Sequence, residues 1–373
     1  MPKMLLWIIR LVVGIVFIFS GVVKSVDAWG LAYKLQEYFE VFHLTDLNFS
    51  APVLAMLFNT LEVVLGVAII IGAWPLLTTY LLLGLIVFFT FLTGYSAIFD
   101  AVKDCGCFGD AIQLTPEQSF AKDVVLMVLI WGLWKNRHQI RPLGQWVQMV
   151  MLLTIIVTSA VNYYSYACLP IMDFRPYKVG NNVLQLMEIP PGAPVDEYRT
   201  TLVYRHKASG KTQEFTLDAI PTDTMWEWVE TRNKLVKKGY TPPVHDFFIT
   251  SADGEDVTSS FLELSGWKAM VVLRDPEKLS NRKLEKVEKL VVGLESIPQR
   301  PIKVWVVTSA GPERWVRFES KFRFYFMDET TLKTMIRANP GLILWKEGTI
   351  KGKWSMCGWP SPDELLQMIN QNQ

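Results

Sequence analysis

The sequence predicts an α-helical membrane bundle followed by a soluble α/β domain, and three observations carry that expectation. The chain of 373 residues is half hydrophobic and only 20% charged, which is too apolar for an ordinary pair of soluble domains. The apolar excess is uneven: long uncharged runs precede about Tyr166, and the remainder is mixed, charged and punctuated by proline. The 37 basic residues are balanced by 36 acidic ones, which argues against nucleic acid, because phosphate binding needs a basic surplus gathered on one face.

Five stretches are long enough to cross a bilayer, which takes roughly 17 to 25 mostly apolar residues. They run from about Met4 to Val23, Pro52 to Ile71, Leu76 to Ile98, Ser119 to Trp134 and Trp146 to Ala160. The first reads as an uncleaved anchor, since its apolar run is long and no small-x-small site closes it.

Lys135, Arg137 and Arg141 crowd the short loop between the last two runs, and Lys3 precedes the first. By the positive-inside rule these ends belong in the cytoplasm. Five crossings then put the 24–51 segment, the loop around Cys105 and Cys107, and everything after Tyr166 outside. In a bacterial inner membrane the C-terminal half is thus expected to be periplasmic. Trp74, Trp131, Trp134 and Trp146 would line the inner interface, with Tyr95, Tyr163, Tyr164 and Tyr166 at the outer one.

Within the first run, Arg10 either snorkels to the inner headgroups or pairs with Glu62 of the second. Glu62 lies nearer mid-membrane and is a functional candidate by default, or else a link that locks two helices together. Between the runs, Trp29, Ala32, Leu35 and Phe42 recur at helical spacing, which predicts an amphipathic helix lying on the outer surface and covering the bundle.

The stretch Asp104-Cys105-Gly106-Cys107-Phe108-Gly109-Asp110 holds two of the four cysteines. Two thiols one glycine apart close a very small ring, and strain in such a disulfide makes it a good oxidant. Gly106 and Gly109 supply the backbone freedom that the turn demands. The next helix should start at Pro116 with Thr115 as its cap, and its N-terminal partial charge would favour a thiolate close by. The pair is either redox-active or a structural clip; a metal is disfavoured by the lack of histidine nearby, and none is assigned. Cys168 emerges on the same side as a candidate resolving partner, whereas Cys357 reads as a lone thiol.

Arg10, Gly14, Phe17, Ser20, Gly21 and Lys24, followed by Glu62, Gly66 and Gly72, form a pattern that resembles the DoxX family of four-helix membrane proteins. The Cys105-Gly106-Cys107-Phe108-Gly109 loop, with Lys122-Asp123-Val124-Val125-Leu126 in the helix after it, is similar to the related MauE proteins named for methylamine utilisation. The resemblance spans roughly residues 4 to 134. It implies a role in maturation or redox handling of exported proteins whose disulfides must form. It also adds Lys24 and Asp123 to Arg10 and Glu62 as intramembrane polar candidates.

In the soluble half, Tyr198 to Arg205 and Thr212 to Leu217 read as a β-hairpin, and Asp223 to Lys238 as a helix ended by Gly239. From Tyr240 on, the chain resembles a periplasmic thioredoxin-like protein. A strand is expected at Trp267 to Leu273, a helix at Pro276 to Leu294 and a strand at Lys303 to Thr308. A helix around Thr331 to Ala338, a hairpin from Gly341 to Trp354 and a helix from Pro362 to Ile369 complete the pattern. Pro340 falls where that family carries its cis-proline. Arg274-Asp275-Pro276-Glu277 stands where the family has Cys-x-x-Cys, so dithiol exchange by the usual route is not expected.

These observations divide the chain into a DoxX/MauE-like bundle (1–135), a fifth helix and linker (136–177), a membrane-proximal hairpin and helix (178–240) and a thioredoxin-like domain (241–373). Two functions fit. In one, a membrane thiol–disulfide oxidoreductase exchanges electrons between Cys105/Cys107 and exported clients, with a quinone in the bundle as acceptor and Pro340 marking a peptide-docking edge. In the other, an assembly or scaffold protein carries an inert loop disulfide and a binding-only outer domain. A transporter is a weaker third reading.

Overall fold

A computed structural model of the chain describes residues 1–102, 106–221, 223–237, 239–297, 302–315, 318 and 321–371. The chain forms two units, residues 1–181 with 248–373 and residues 182–247.

The larger unit opens with six helices: α1 (Lys3–Val26), α2 (Ala28–Val41), α3 (Ala51–Ile71), α4 (Pro75–Phe99), α5 (Pro116–Lys135) and α6 (Val147–Ala167). Among the described residues, α1, α4, α6 and the continuous run Thr45–Ile71 ending in α3 are long and apolar enough to cross a membrane. Helix α5 has the length, 20 residues, but carries Glu117, Lys122, Asp123 and Lys135. Phe91, Val128 and Leu152 lie 59–62% exposed on the outside of the bundle, a disposition that only lipid makes favourable.

Small residues set the central crossing. A methyl group on Gly14 of α1 would lie 2.8 Å from the Gly66 carbonyl of α3, and one on Gly66 would lie 2.7 Å from the Gly14 carbonyl. Without side chains the two backbones touch, as membrane helices require when van der Waals packing is the main attraction. Phe17, Leu65, Ile69, Ile86, Leu126 and Ile130 fill the space around them. Helix α3 stops at Gly72, whose φ of 76° suits glycine, and Pro75 starts α4 three residues on. Thr115 caps α5 in a reciprocal capping box with Gln118, as the sequence led us to expect.

The smaller unit holds α7 (Val183–Met187), β1 (Glu197–His206), β2 (Thr212–Thr216) and β3 (Trp226–Lys237). The three strands form an antiparallel sheet in the order β2-β1-β3. The stretch expected as a helix from Asp223 is therefore a strand. Its glutamates and lysines favour a helix locally, but pairing with β1 from His206 opposite Trp226 to Glu197 opposite Lys237 prevails.

The C-terminal part of the larger unit runs α8 (Thr258–Leu262), β4 (Trp267–Val272), α9 (Asn281–Glu295), β5 (Lys303–Thr308), α10 (Pro312–Trp315), β6 (Phe324–Phe326), α11 (Glu329–Met335), β7 (Gly341–Lys346), β8 (Thr349–Ser355) and α12 (Pro362–Gln371). The strands form one sheet in the order β6-β5-β4-β7-β8. Strands β6, β5 and β4 are parallel, and β7 and β8 are antiparallel to their neighbours. The Asn339–Pro340 bond ahead of β7 is cis. This is a thioredoxin-like arrangement. Strand β4 is buried through Val272, as continuous apolar strands of covered sheets are. Leu284, Val287, Leu290, Val291 and Leu294 form the helical stripe by which α9 packs on the sheet, and Leu365 and Ile369 of α12 join them. Strand β6 is an addition that the sequence pattern did not reveal.

Candidate functional site

A cavity opens into the bundle beneath α2 and the cysteine loop. Phe17, Leu31, Leu35, Ile86, Phe89 and Leu126 give it apolar walls, and Lys24, Glu62, Asp123 and Cys107 are among the polar groups that line it. It is tight: about 40 Å³ of it is open to a water-sized sphere. Three of the four intramembrane polar candidates thus meet one of the loop cysteines around a single space. Arg10 is the exception, and Cys105 lies outside the described residues.

Two ion pairs stand in this cavity. Lys24 Nζ donates to Glu62 Oε1 at 2.6 Å, and both side chains are at most 4% exposed. The ammonium also lies 4.9 Å from the centre of the Phe89 ring. The second oxygen of Glu62 is buried with no hydrogen-bond partner among the described residues. On the facing side, Lys122 Nζ donates to Asp123 Oδ1 at 2.5 Å, and Thr93 Oγ1 donates to Asp123 Oδ2 at 3.1 Å. Each charge is neutralised where it is buried, the condition under which buried charge is tolerated.

Pairing with Glu62 was one of two expectations for Arg10, and the structure corrects it. Helices α1 and α3 are antiparallel with Gly14 against Gly66, so Arg10 falls level with the end of α3. There its Nε donates to the Ile69 carbonyl at 2.9 Å and its Nη2 to the Ile70 carbonyl at 2.8 Å. It satisfies carbonyls that a helix end leaves open, and its guanidinium stacks over Trp7 at 4.2 Å. Glu62, more than two turns back along α3, is level with Lys24.

Residues 106–109 are held against the cavity mouth. Ser20 Oγ donates to the Cys107 carbonyl at 2.7 Å, and Gly109 N donates to the Gly106 carbonyl at 3.1 Å. Gly106 and Gly109 both have positive φ, 62° and 52°. A side chain on Gly106 would press on Lys34 of α2, 3.1 Å from its Cγ. Phe108 packs on Phe19 at 5.5 Å between ring centres, and the Lys122 ammonium lies 5.3 Å from the centre of the Phe108 ring. Cys107 is the one cysteine outside a disulfide among the described residues. Burial pushes its thiol above the usual range; Lys122 and the Ser119 hydroxyl oppose that shift, and Asp123 reinforces it.

Cys168, expected as a resolving partner of the loop, is instead bonded to Cys357, which was expected to be a lone thiol. The chain just beyond α6 is thereby tied to the end of β8, 189 residues later. The reason is placement: Ile171 N donates to the Val26 carbonyl, and Lys353 Nζ reaches both Asp173 Oδ2, at 2.9 Å, and the Met335 carbonyl, at 2.6 Å. These contacts bring the start of the linker against β8.

The edge of the thioredoxin-like domain that carries Pro340 faces the same loop. Arg337 Nε lies 2.9 Å from Asp27 Oδ2 at the start of α2, and its Nη2 lies 2.8 Å from Asp110 Oδ2 of the cysteine loop. Arg274, in the position expected to lack a nucleophile, donates to the Tyr33 hydroxyl at 2.6 Å and takes the Asn339 side-chain oxygen on its own N–H. Lys333 and Arg337 lie over the Tyr33 ring at 5.0 and 5.2 Å. Pro340 itself is buried. Arg337, Tyr33, Asp27 and Asp110 are functional candidates that sequence reasoning missed, since no local motif joins residues so far apart.

Residues 2–135 match the family model described as methylamine utilisation protein MauE, just over a third of the chain. Residues 198–238, the sheet of the smaller unit, match a domain of unknown function (DUF8463). A search of curated proteins gave no match. Among solved structures, the chain is similar to the crystal structure of a thioredoxin-like protein from Bacteroides caccae, at 9% identity over 90% of this chain and 86% of that one, with a TM-score of 0.24. The chain is a multi-pass membrane protein with a MauE-like helical region, a thioredoxin-like C-terminal domain and the long-range Cys168–Cys357 disulfide.

Proposed function

We propose that this protein handles thiols and disulfides of exported proteins at the outer face of a bacterial inner membrane, with Cys105 and Cys107 as the exchanging pair. The observation that carries the reading is the meeting of Cys107 with one buried and one part-buried ion pair around one apolar-walled cavity. Oxidation of the pair to a disulfide releases two electrons and two protons, so the chemistry needs proton-holding groups and an electron acceptor. Glu62 and Asp123 are the carboxylates that line the cavity with Cys107, and the second oxygen of Glu62 has no hydrogen-bond partner among the described residues. The two-electron acceptor would be of the quinone class; Phe17, Ile86 and Phe89 are the apolar residues that would face it, and the space between them would have to widen to admit a ring.

Two further observations support the orientation. The cationic loop of Lys135, Arg137 and Arg141 lies at the end of the bundle that holds the N-terminus, where Met1 donates to Asn136. The Cys168–Cys357 disulfide, on the side of the cysteine loop, is the kind of bond that an oxidising compartment maintains.

The test is a trapping experiment with Cys107→Ser. A mixed disulfide between Cys105 and an exported protein is the expected result. Absence of adducts together with undiminished growth would point to the second reading, a non-enzymatic assembly protein. One observation favours that second reading: the proline edge that would dock a client is covered by the chain's own α2 and loop.

A further inference from the structure

The peptide-taking edge of a thioredoxin-like domain pairs with extended chain beside its cis-proline. Here that edge meets two segments of the same polypeptide. Arg337 stands two residues before Asn339 and is 6% exposed between two carboxylates from different parts of the bundle, Asp27 and Asp110. Arg274, whose own N–H bonds the Asn339 side chain, donates to Tyr33 of α2. The residue after Tyr33 is Lys34, whose stem lies against Gly106 of the cysteine loop. Leu31, Lys34, Leu35 and Tyr38 of the same helix line the cavity on which Cys107 opens. Helix α2 is thus a cover over the thiol, and the thioredoxin-like domain grips both the cover and the loop.

We propose that the C-terminal domain is a clamp acting in cis, in which Arg337 is a positioning residue that holds the cysteine loop through Asp110 and the cover helix through Asp27, and so sets how readily Cys107 is reached by another molecule. The proposal rests on the thiol reading only in taking access to Cys107 as the quantity that matters. Cys107 lines the cavity and is only partly exposed, so in-line attack by the disulfide of a second protein requires residues 106–110 or the cover helix to move. The bridge is the part of the docking surface that touches both. The remainder is independent of it: the Cys168–Cys357 disulfide, Lys353 on Asp173, and Arg175 on the Thr334 carbonyl keep the domain attached when Arg337 is changed.

The experiment measures alkylation of Cys107 by a maleimide in the full-length membrane protein, with Cys105→Ser so that Cys107 is the free thiol. Arg337→Ala is expected to speed alkylation at least about tenfold, because it removes the bridge between two part-buried carboxylates. Arg337→Lys, which keeps the charge without the two-pronged geometry, should restore slow labelling most of the way, to within about threefold of the parent. Asp110→Asn should reproduce the acceleration in a protein whose Arg337 is still neutralised by Asp27. An unchanged rate in both Arg337→Ala and Asp110→Asn, whatever their melting temperatures, would overturn the proposal. If Arg337→Ala does not fold, Asp110→Asn alone decides. Fast labelling without trapped client adducts would sink the thiol-exchange reading and leave the clamp; trapped adducts with unchanged labelling would do the reverse.

Discussion

Lys24 of α1 and Glu62 of α3 meet at 2.6 Å inside the helical bundle, each almost wholly removed from solvent. An ion pair in this setting is only weak evidence for stability, since desolvation offsets much of the attraction, but removing one partner strands the other. Glu62→Leu should therefore cost about 3 to 5 kcal/mol. The double variant Lys24→Met with Glu62→Leu should recover most of that loss. Thermal unfolding in detergent of the two single variants and the double variant measures it, and a double variant no better than its parents would show that the two charges are not coupled.

Gly14 sits where the backbones of α1 and α3 touch. Gly14→Val forces the helices apart at the point that sets their register, and overpacking of this kind typically costs about 1 to 3 kcal/mol. Gly84 has open space around its missing side chain, so Gly84→Ala should be nearly neutral by the same unfolding assay.

The Cys107 thiol is raised by burial, which fixes the sign of a pH experiment. Less of it is thiolate at neutral pH than of an exposed cysteine, so its alkylation rate should keep rising with pH beyond the ordinary thiol range. Asp123→Asn removes an anion that disfavours the thiolate and should move the rate profile to lower pH. Lys122→Met removes a cation that favours it and should move the profile to higher pH. Stopped-flow labelling across pH in a Cys105→Ser background separates the three curves.

Asn162 of α6 bonds at once to Ser25 of α1, Thr60 of α3 and the side chain of Asn59, at 3.0, 3.3 and 3.1 Å. Asn162→Leu leaves those groups buried without their partner and should destabilise by about 1 to 3 kcal/mol. Loss of the α6 contact would show as earlier proteolysis in the 168–181 linker.

The parts of this molecule that the sequence made legible are those with a local signal. Apolar length revealed the helices of the bundle, and Thr115 with Pro116 marked the start of α5. Alternation and turn residues found β4, β5 and the β7–β8 hairpin. What escaped depends on register between distant segments. Arg10 was the partner considered for Glu62, and only the contact of Gly14 with Gly66 shows that Lys24 is the cation level with it. Strand β3 was mistaken for a helix because its side chains suit either state and only β1 decides between them. The pairing of Cys168 with Cys357 and the reach of Arg337 to Asp27 and Asp110 have no signature in sequence at all.

The cross-link between Cys168 and Cys357 makes the polypeptide between them a closed covalent loop. A protease that nicks it once, for instance in the bend Pro190-Pro191-Gly192-Ala193-Pro194, opens the backbone without releasing a fragment. The last membrane helix and the C-terminal strands then still travel as one band, and separate on a gel only after a reductant is added.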